Sequence, residues 1–166
     1  MIQEFDLRNI VSSYSLHDCY IERVEYKDGL LKLYIDEILP ETEAGYDDPE
    51  DFSNKYKGLI VTYKIIDENQ CYLDISKKRY ILAFRYHKNK SLELTDFVAF
   101  FNKIKKNDKN IVEIRYQYFT NSRCLIQFDC SLPNYAIDFC DLNLHVESIT
   151  YEWREKSLDS LCKEIK

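Results

Sequence analysis

Apolar and polar positions alternate along residues 30–36, LLKLYID, with Leu31, Leu33 and Ile35 on one face and Lys32, Tyr34 and Asp36 on the other. A period of two is the mark of a half-buried strand. Asp28-Gly29 stands just before it, and this dipeptide suits a two-residue turn in which both positions take positive φ. The pattern predicts a β-hairpin with strands at 19–27 and 30–38. Upstream, Ile2, Phe5, Leu7, Ile10 and Val11 are spaced more like a short helix over 2–12 than a strand.

Further strands are expected at 58–67, 70–76 and 79–87, with turns at Asp67-Glu68-Asn69 and Lys77-Lys78, read together as an antiparallel meander. The period then changes. In residues 91–108, Phe97, Val98, Phe101 and Ile104 fall on one helical stripe, with Thr95 or Ser91 as the cap and Lys103, Lys105 and Lys106 in the last turn. Strands at 110–120 and 123–131 meet across Asn121-Ser122, and two more are expected near 135–141 and 144–153. Leu158, Leu161, Cys162 and Ile165 predict a short end helix over 157–165. The whole reads as an α+β fold. It has a largely antiparallel sheet of about eight or nine strands, one covering helix and short terminal helices, in a single domain over 1–166.

Charge adds one local feature. The chain has a net charge of −6, and 8 of its 29 acids lie between Asp36 and Asp51, where there is no Lys or Arg. Without that window, 21 acids face 23 bases, a net of +2. Residues 40–57 also hold Pro40, Gly45 and Pro49, and connections of this length are usually functional or disordered. Glu41, Glu43, Asp47, Asp48, Glu50 and Asp51, with the aromatics Tyr46 and Phe52, are therefore expected to bind a basic protein partner. The negative balance argues against nucleic acid, although RYILAFRYHKNK and IRYQYF interleave Arg with Tyr and Phe in the manner of a stacking platform. Exposed tyrosines such as Tyr116 and Tyr118 would also suit a homo-oligomer.

Little in the sequence supports catalysis. With 3 glycines there is no phosphate-cradling loop, and no nucleophile elbow occurs. His17-Asp18 offers a small enzyme or metal site its strongest residues, but neighbours in an extended segment point to opposite faces. The bland reading is a turn or cap made by Asp18. Cys19 beside His17 could be a nucleophile only with a spatial partner such as His87 or His145. Zinc would have to draw on Cys19, Cys124, Cys130, Cys140 and His145, which lack the close pairs of structural sites. DDPEDF lacks the spacing of a calcium loop. No catalytic residue, metal ligand or cofactor is assigned. No run approaches the roughly 18 apolar residues of a membrane span, and no secretory signal opens the chain. A cytoplasmic protein with its 6 cysteines reduced is expected.

The opening Leu16-His17-Asp18, followed by Ile21, Val24, Gly29, Leu31, Leu33 and Ile35, resembles the start of small β-rich bacterial proteins, including immunity proteins of polymorphic-toxin systems. The resemblance covers about a seventh of the chain and carries no catalytic residues. It implies a bacterial, cytoplasmic protein that acts by binding.

Overall fold

The computed structural model describes residues 2–6, 16–36, 56–81, 84–107, 110–131 and 137–155. Its strands are β1 (Ile2–Asp6), β2 (Cys19–Lys27), β3 (Leu30–Asp36), β4 (Tyr56–Ile65), β5 (Tyr72–Ile81), β6 (Phe84–Glu93), β7 (Ile111–Thr120), β8 (Arg123–Ser131) and β9 (Ile137–Glu155). Among the described residues, one helix, α1, spans Leu94–Ile104, and one 3-10 turn covers Glu68–Gln70. All nine strands share one sheet, and every pairing is antiparallel.

The sheet is organised by β9, a strand of 19 residues. Its first half pairs with β8 and β5, and its second half with β4 and β1. Because β4 also pairs with β3, the connections β4-β3-β2-β7-β8-β9 return to β4 and close the sheet on itself. The β5–β6 hairpin extends from this circuit. The buried faces of β2 to β5 and β7 to β9 point to one core, which includes Leu33, Ile35, Val61, Tyr63, Ile126, Phe128, Leu142 and Ile149.

Three strands keep their inward rows only by skipping a residue. Ile21 and Val24, Ile114 and Gln117, and Val146 and Ile149 are each three apart, where regular alternation would place inward residues two apart. The register shifts at each of these places, leaving Glu22, Arg115 and Glu147 as the extra residues. All three are charged and paired. Glu22 meets Arg154 at 3.1 Å, Glu147 meets Lys64 at 2.8 Å, and Arg115 gathers several carboxylates. A bulge aims its extra side chain out of the ladder, and a charge there remains solvated.

The helix follows the predicted stripe. Leu94, Phe97, Phe101 and Ile104 are buried, and Val98 is partly so. At about 1.5–3 kcal/mol for each fully buried side chain, these four residues account for its docking. The Phe97 ring stacks on Phe128 with centroids 6.4 Å apart and planes at 9°. The cap differs from expectation. Glu93 occupies it without a side-chain bond, Ser91 belongs to β6, and Thr95 lies inside the helix. The strand runs straight into the helix, so the β5–β6 pairing at Tyr72 and Glu93 sets the helix start.

The Asp28-Gly29 turn is as expected, with φ of 53° and 75°. Other expectations fail. Residues 2–6 form a strand, because the exposed edge of β9 pairs with them. Lys77 and Lys78 lie within β5, so they make no turn. β4 and β5 do not form a meander with each other; both pair with β9, one after the other. The two strands expected near 135–141 and 144–153 are one, since Leu142 and Asn143 continue the ladder to β5 and β8. The end helix over 157–165 lies outside the described residues.

Candidate functional site: the outer face of β7, β8, β9 and β5

His17 and Asp18 sit where the chain turns into β2. Asp18 adopts φ of 61°, a left-handed conformation that aspartate tolerates better than most residues. Its N–H donates to the Ile114 carbonyl at 2.9 Å, and the Cys19 N–H donates to the Leu16 carbonyl at 3.2 Å. This turn overrides the expectation that the two side chains point apart. The His17 Nδ1 and the Asp18 carboxylate stand 2.8 Å from each other. The His17 ring also meets the Tyr116 ring edge-on, with centroids 5.6 Å apart.

Arg115 holds this corner. Its guanidinium reaches Asp18 at 3.2 Å, Glu113 at 3.2 Å and Asp129 at 3.0 Å. These carboxylates come from the turn before β2, from β7 and from β8. They converge because the bulge lifts Arg115 out of the β7 ladder. Desolvation acts to raise the Asp18 carboxyl, but hydrogen bonds with Glu113 and His17 and the charges of His17 and Arg115 prevail and hold it below the ordinary aspartate value. Glu113 moves the other way. Burial and its hydrogen bond to Asp18 lift it, against the pull of Arg115. The two carboxyls are thus pushed apart, Asp18 down and Glu113 up.

The pairings of β7, β8, β9 and β5 line their outward residues into rows. One row is Tyr118, Leu125, Asn143 and Tyr72. The next is Tyr116, Gln127, Asp141 and Asp74, followed by Glu113, Asp129 and Phe139, a row that ends on the buried Ser76. The aromatics are open to solvent: Tyr116 is 49% exposed, Tyr118 56%, Tyr72 39% and Phe139 38%. Tyr116 and Tyr118 stack on each other, with centroids 5.9 Å apart. Carboxylates lie among them, and Gln127 Nε2 donates to Asp141 at 2.9 Å. A shallow cavity of about 310 Å³ opens between Arg115, Asp129 and Phe139. The face is thus aromatic and, around Arg115, strongly acidic.

The sequence-expected site residues divide. Leu16 is buried, and His17 and Asp18 reach the outer face through the Arg115 cluster. Glu41, Glu43, Tyr46, Asp47, Asp48, Glu50, Asp51 and Phe52 lie outside the described residues. Cys19, Cys124, Cys130 and Cys140 are buried in the core, whereas His145 sits in an outward position of β9. Among the described residues, no group of three or more His, Cys, Asp or Glu side chains could hold a metal ion. Arg115, Glu113, Asp129 and Asp141 were not anticipated as a cluster. The sequence carries no clear signal for it, since Val112, Ile114, Tyr116 and Tyr118 read as one unbroken alternation across the bulge. No protein-family model matches this chain, and neither a curated protein nor a solved structure matches it.

Proposed function

We propose that this protein is a non-enzymatic, immunity-type binding domain that docks a basic protein partner against the outer face of β7, β8, β9 and β5. The observation that carries this reading is the setting of Tyr116, exposed, edge-on to His17, in one row with Asp141 and beside the row of Glu113 and Asp129. Exposed aromatics anchor interfaces. Carboxylates around them select arginine, whose guanidinium both pairs with carboxylates and stacks on rings. The acidic window between Asp36 and Asp51 supports the same partner chemistry, and so does the resemblance of Leu16-His17-Asp18 to immunity proteins.

The test is titration calorimetry with an arginine-rich peptide and a lysine-rich peptide of equal length. The arginine peptide binds more tightly, and added salt weakens it. Tyr116→Ala lowers its affinity about tenfold, and Asp129→Asn with Asp141→Asn lowers it further. A variant with Asp47, Asp48, Glu50 and Asp51 neutralised separates the acidic window from the sheet face. Equal binding of both peptides to all variants sinks the proposal.

A further inference from the structure

We infer that the other end of this face is a binding site for a planar aromatic anion of mononucleotide size. A second cavity, of about 490 Å³, opens there, with Tyr118 and Tyr72 at its sides and Leu125 and Asn143 between them. That volume falls within the roughly 300–1,000 Å³ typical of small-molecule sites. The four residues form one row across β7, β8, β9 and β5. Three strand spacings therefore separate the tyrosine backbones, about 14 Å in all. This leaves a slot between the side chains in which a flat ring can lie over Leu125 and Asn143. The Tyr118 ring is steadied from behind by its stack on Tyr116.

The charge changes sign along β8, from Asp129 at the acidic end to Arg123 at this cavity. Arg123 donates from Nη1 to the Gln70 carbonyl at 3.0 Å and from Nη2 to the Gln70 side-chain oxygen. Both acceptors are neutral. Among the described residues, Asp67 reaches the guanidinium through Gln70, whose Nε2 donates to its carboxylate at 2.8 Å. The guanidinium is thus oriented by amide oxygens and keeps its positive charge for a ligand, which suits a phosphate. Thr120, which also lines the cavity, adds a hydroxyl. Tyrosine walls for the ring and an arginine for the anion together select a nucleoside monophosphate. A neutral nucleoside or a bare anion satisfies only half the site.

The experiment uses the full chain, with AMP, GMP, adenosine and inorganic phosphate as probes. Affinity is read by calorimetry, and the site is read from backbone amide NMR shifts of Leu125 and Asn143. AMP or GMP shifts these amides and binds at least about tenfold more tightly than adenosine or phosphate. Arg123→Gln and Tyr118→Ala each weaken the nucleotide about tenfold, while Tyr118→Phe retains it. The two loss variants act on opposite ends of the ligand, so misfolding of one leaves the other as the test. The inference is overturned if neither nucleotide moves the two amides, if phosphate binds as tightly as AMP, or if Arg123→Gln binds AMP like the wild type.

Discussion

Arg115 Nη1 lies 3.2 Å from Asp18 Oδ1, joining residues 97 apart in sequence. The contact spans the shortest strand pairing among the described residues, where only Cys19 with Ile114 and Tyr20 with Glu113 hold β2 to β7. The closed circuit of strands passes through this seam, so side chains reinforce what the backbone ladder supplies sparingly. Arg115→Met removes the cation and leaves Asp18, Glu113 and Asp129 repelling one another. Thermal unfolding at low salt then occurs at a lower temperature than in the wild type. The gap narrows near 1 M salt, where the screening length falls to about 3 Å. A variant as stable as the wild type at low salt removes the seam role from Arg115.

Glu113 gives the same corner an unusual pH response. Its folded-state value is raised above the ordinary 4.5, by burial first and then by its bond to Asp18. A raised acid favours the folded state while it is protonated, and that contribution is lost as pH climbs through the raised value. Asp18 is lowered overall and has the opposite sign, since its contribution is lost as pH falls through its depressed value. Glu113→Gln keeps a hydrogen-bond donor toward Asp18 and cannot ionise. The variant therefore gains stability relative to the wild type between about pH 4 and about pH 6.5. Urea unfolding at both pH values measures the difference. A difference that does not change with pH refutes the upward shift of Glu113.

Phe97 links the helix to the sheet and is 1% exposed. Its ring stacks on Phe128 and meets Phe101 edge-on at 6.1 Å. Phe97→Ala costs about 3–5 kcal/mol, because a cavity opens against strands that cannot collapse into it. Phe97→Leu keeps most of the volume and costs less than about 1.5 kcal/mol. Denaturant midpoints of the two variants give the ratio. Similar losses for both variants would mean that the shape of the ring, rather than filled volume, holds α1 to the sheet.

The local elements were legible wherever one periodicity ran unbroken. Leu31, Leu33 and Ile35 announced β3, and Phe97, Phe101 and Ile104 announced α1. Errors arose where tertiary pairing overrode local chemistry. Lys77 and Lys78 look like a turn but extend β5 against β6, and Leu142-Asn143 looks like a break but is the middle of β9. The Arg115 cluster was hidden for another reason. Its parts come from three distant segments, and a register shift alone brings them together. The shift is also masked locally, because Tyr116 and Tyr118 continue the alternation of Val112 and Ile114 while the first inward residue after the bulge is the polar Gln117.

Gly58 and Gly29 are needed for different reasons, and substitution separates them. Gly29 has φ of 75° with open space where a Cβ would stand. Gly29→Ala therefore costs only the left-handed strain, about 1–2 kcal/mol, and Gly29→Asn costs less. At Gly58, by contrast, a Cβ would press into the Ile35 carbonyl and stand 2.6 Å from the Arg154 guanidinium. That guanidinium crosses the glycine to donate to the Ile35 carbonyl at 3.0 Å and to meet Glu22, the extra residue of the β2 bulge, at 3.1 Å. Gly58→Ala must displace the arginine or part β3 from β4, at about 1–3 kcal/mol. Arg154→Ala introduced into the Gly58→Ala protein relieves the side-chain clash but not the backbone one. The double variant then costs less than the sum of the single changes, while remaining below the wild type. Strictly additive losses in urea unfolding would mean that the glycine serves the backbone alone.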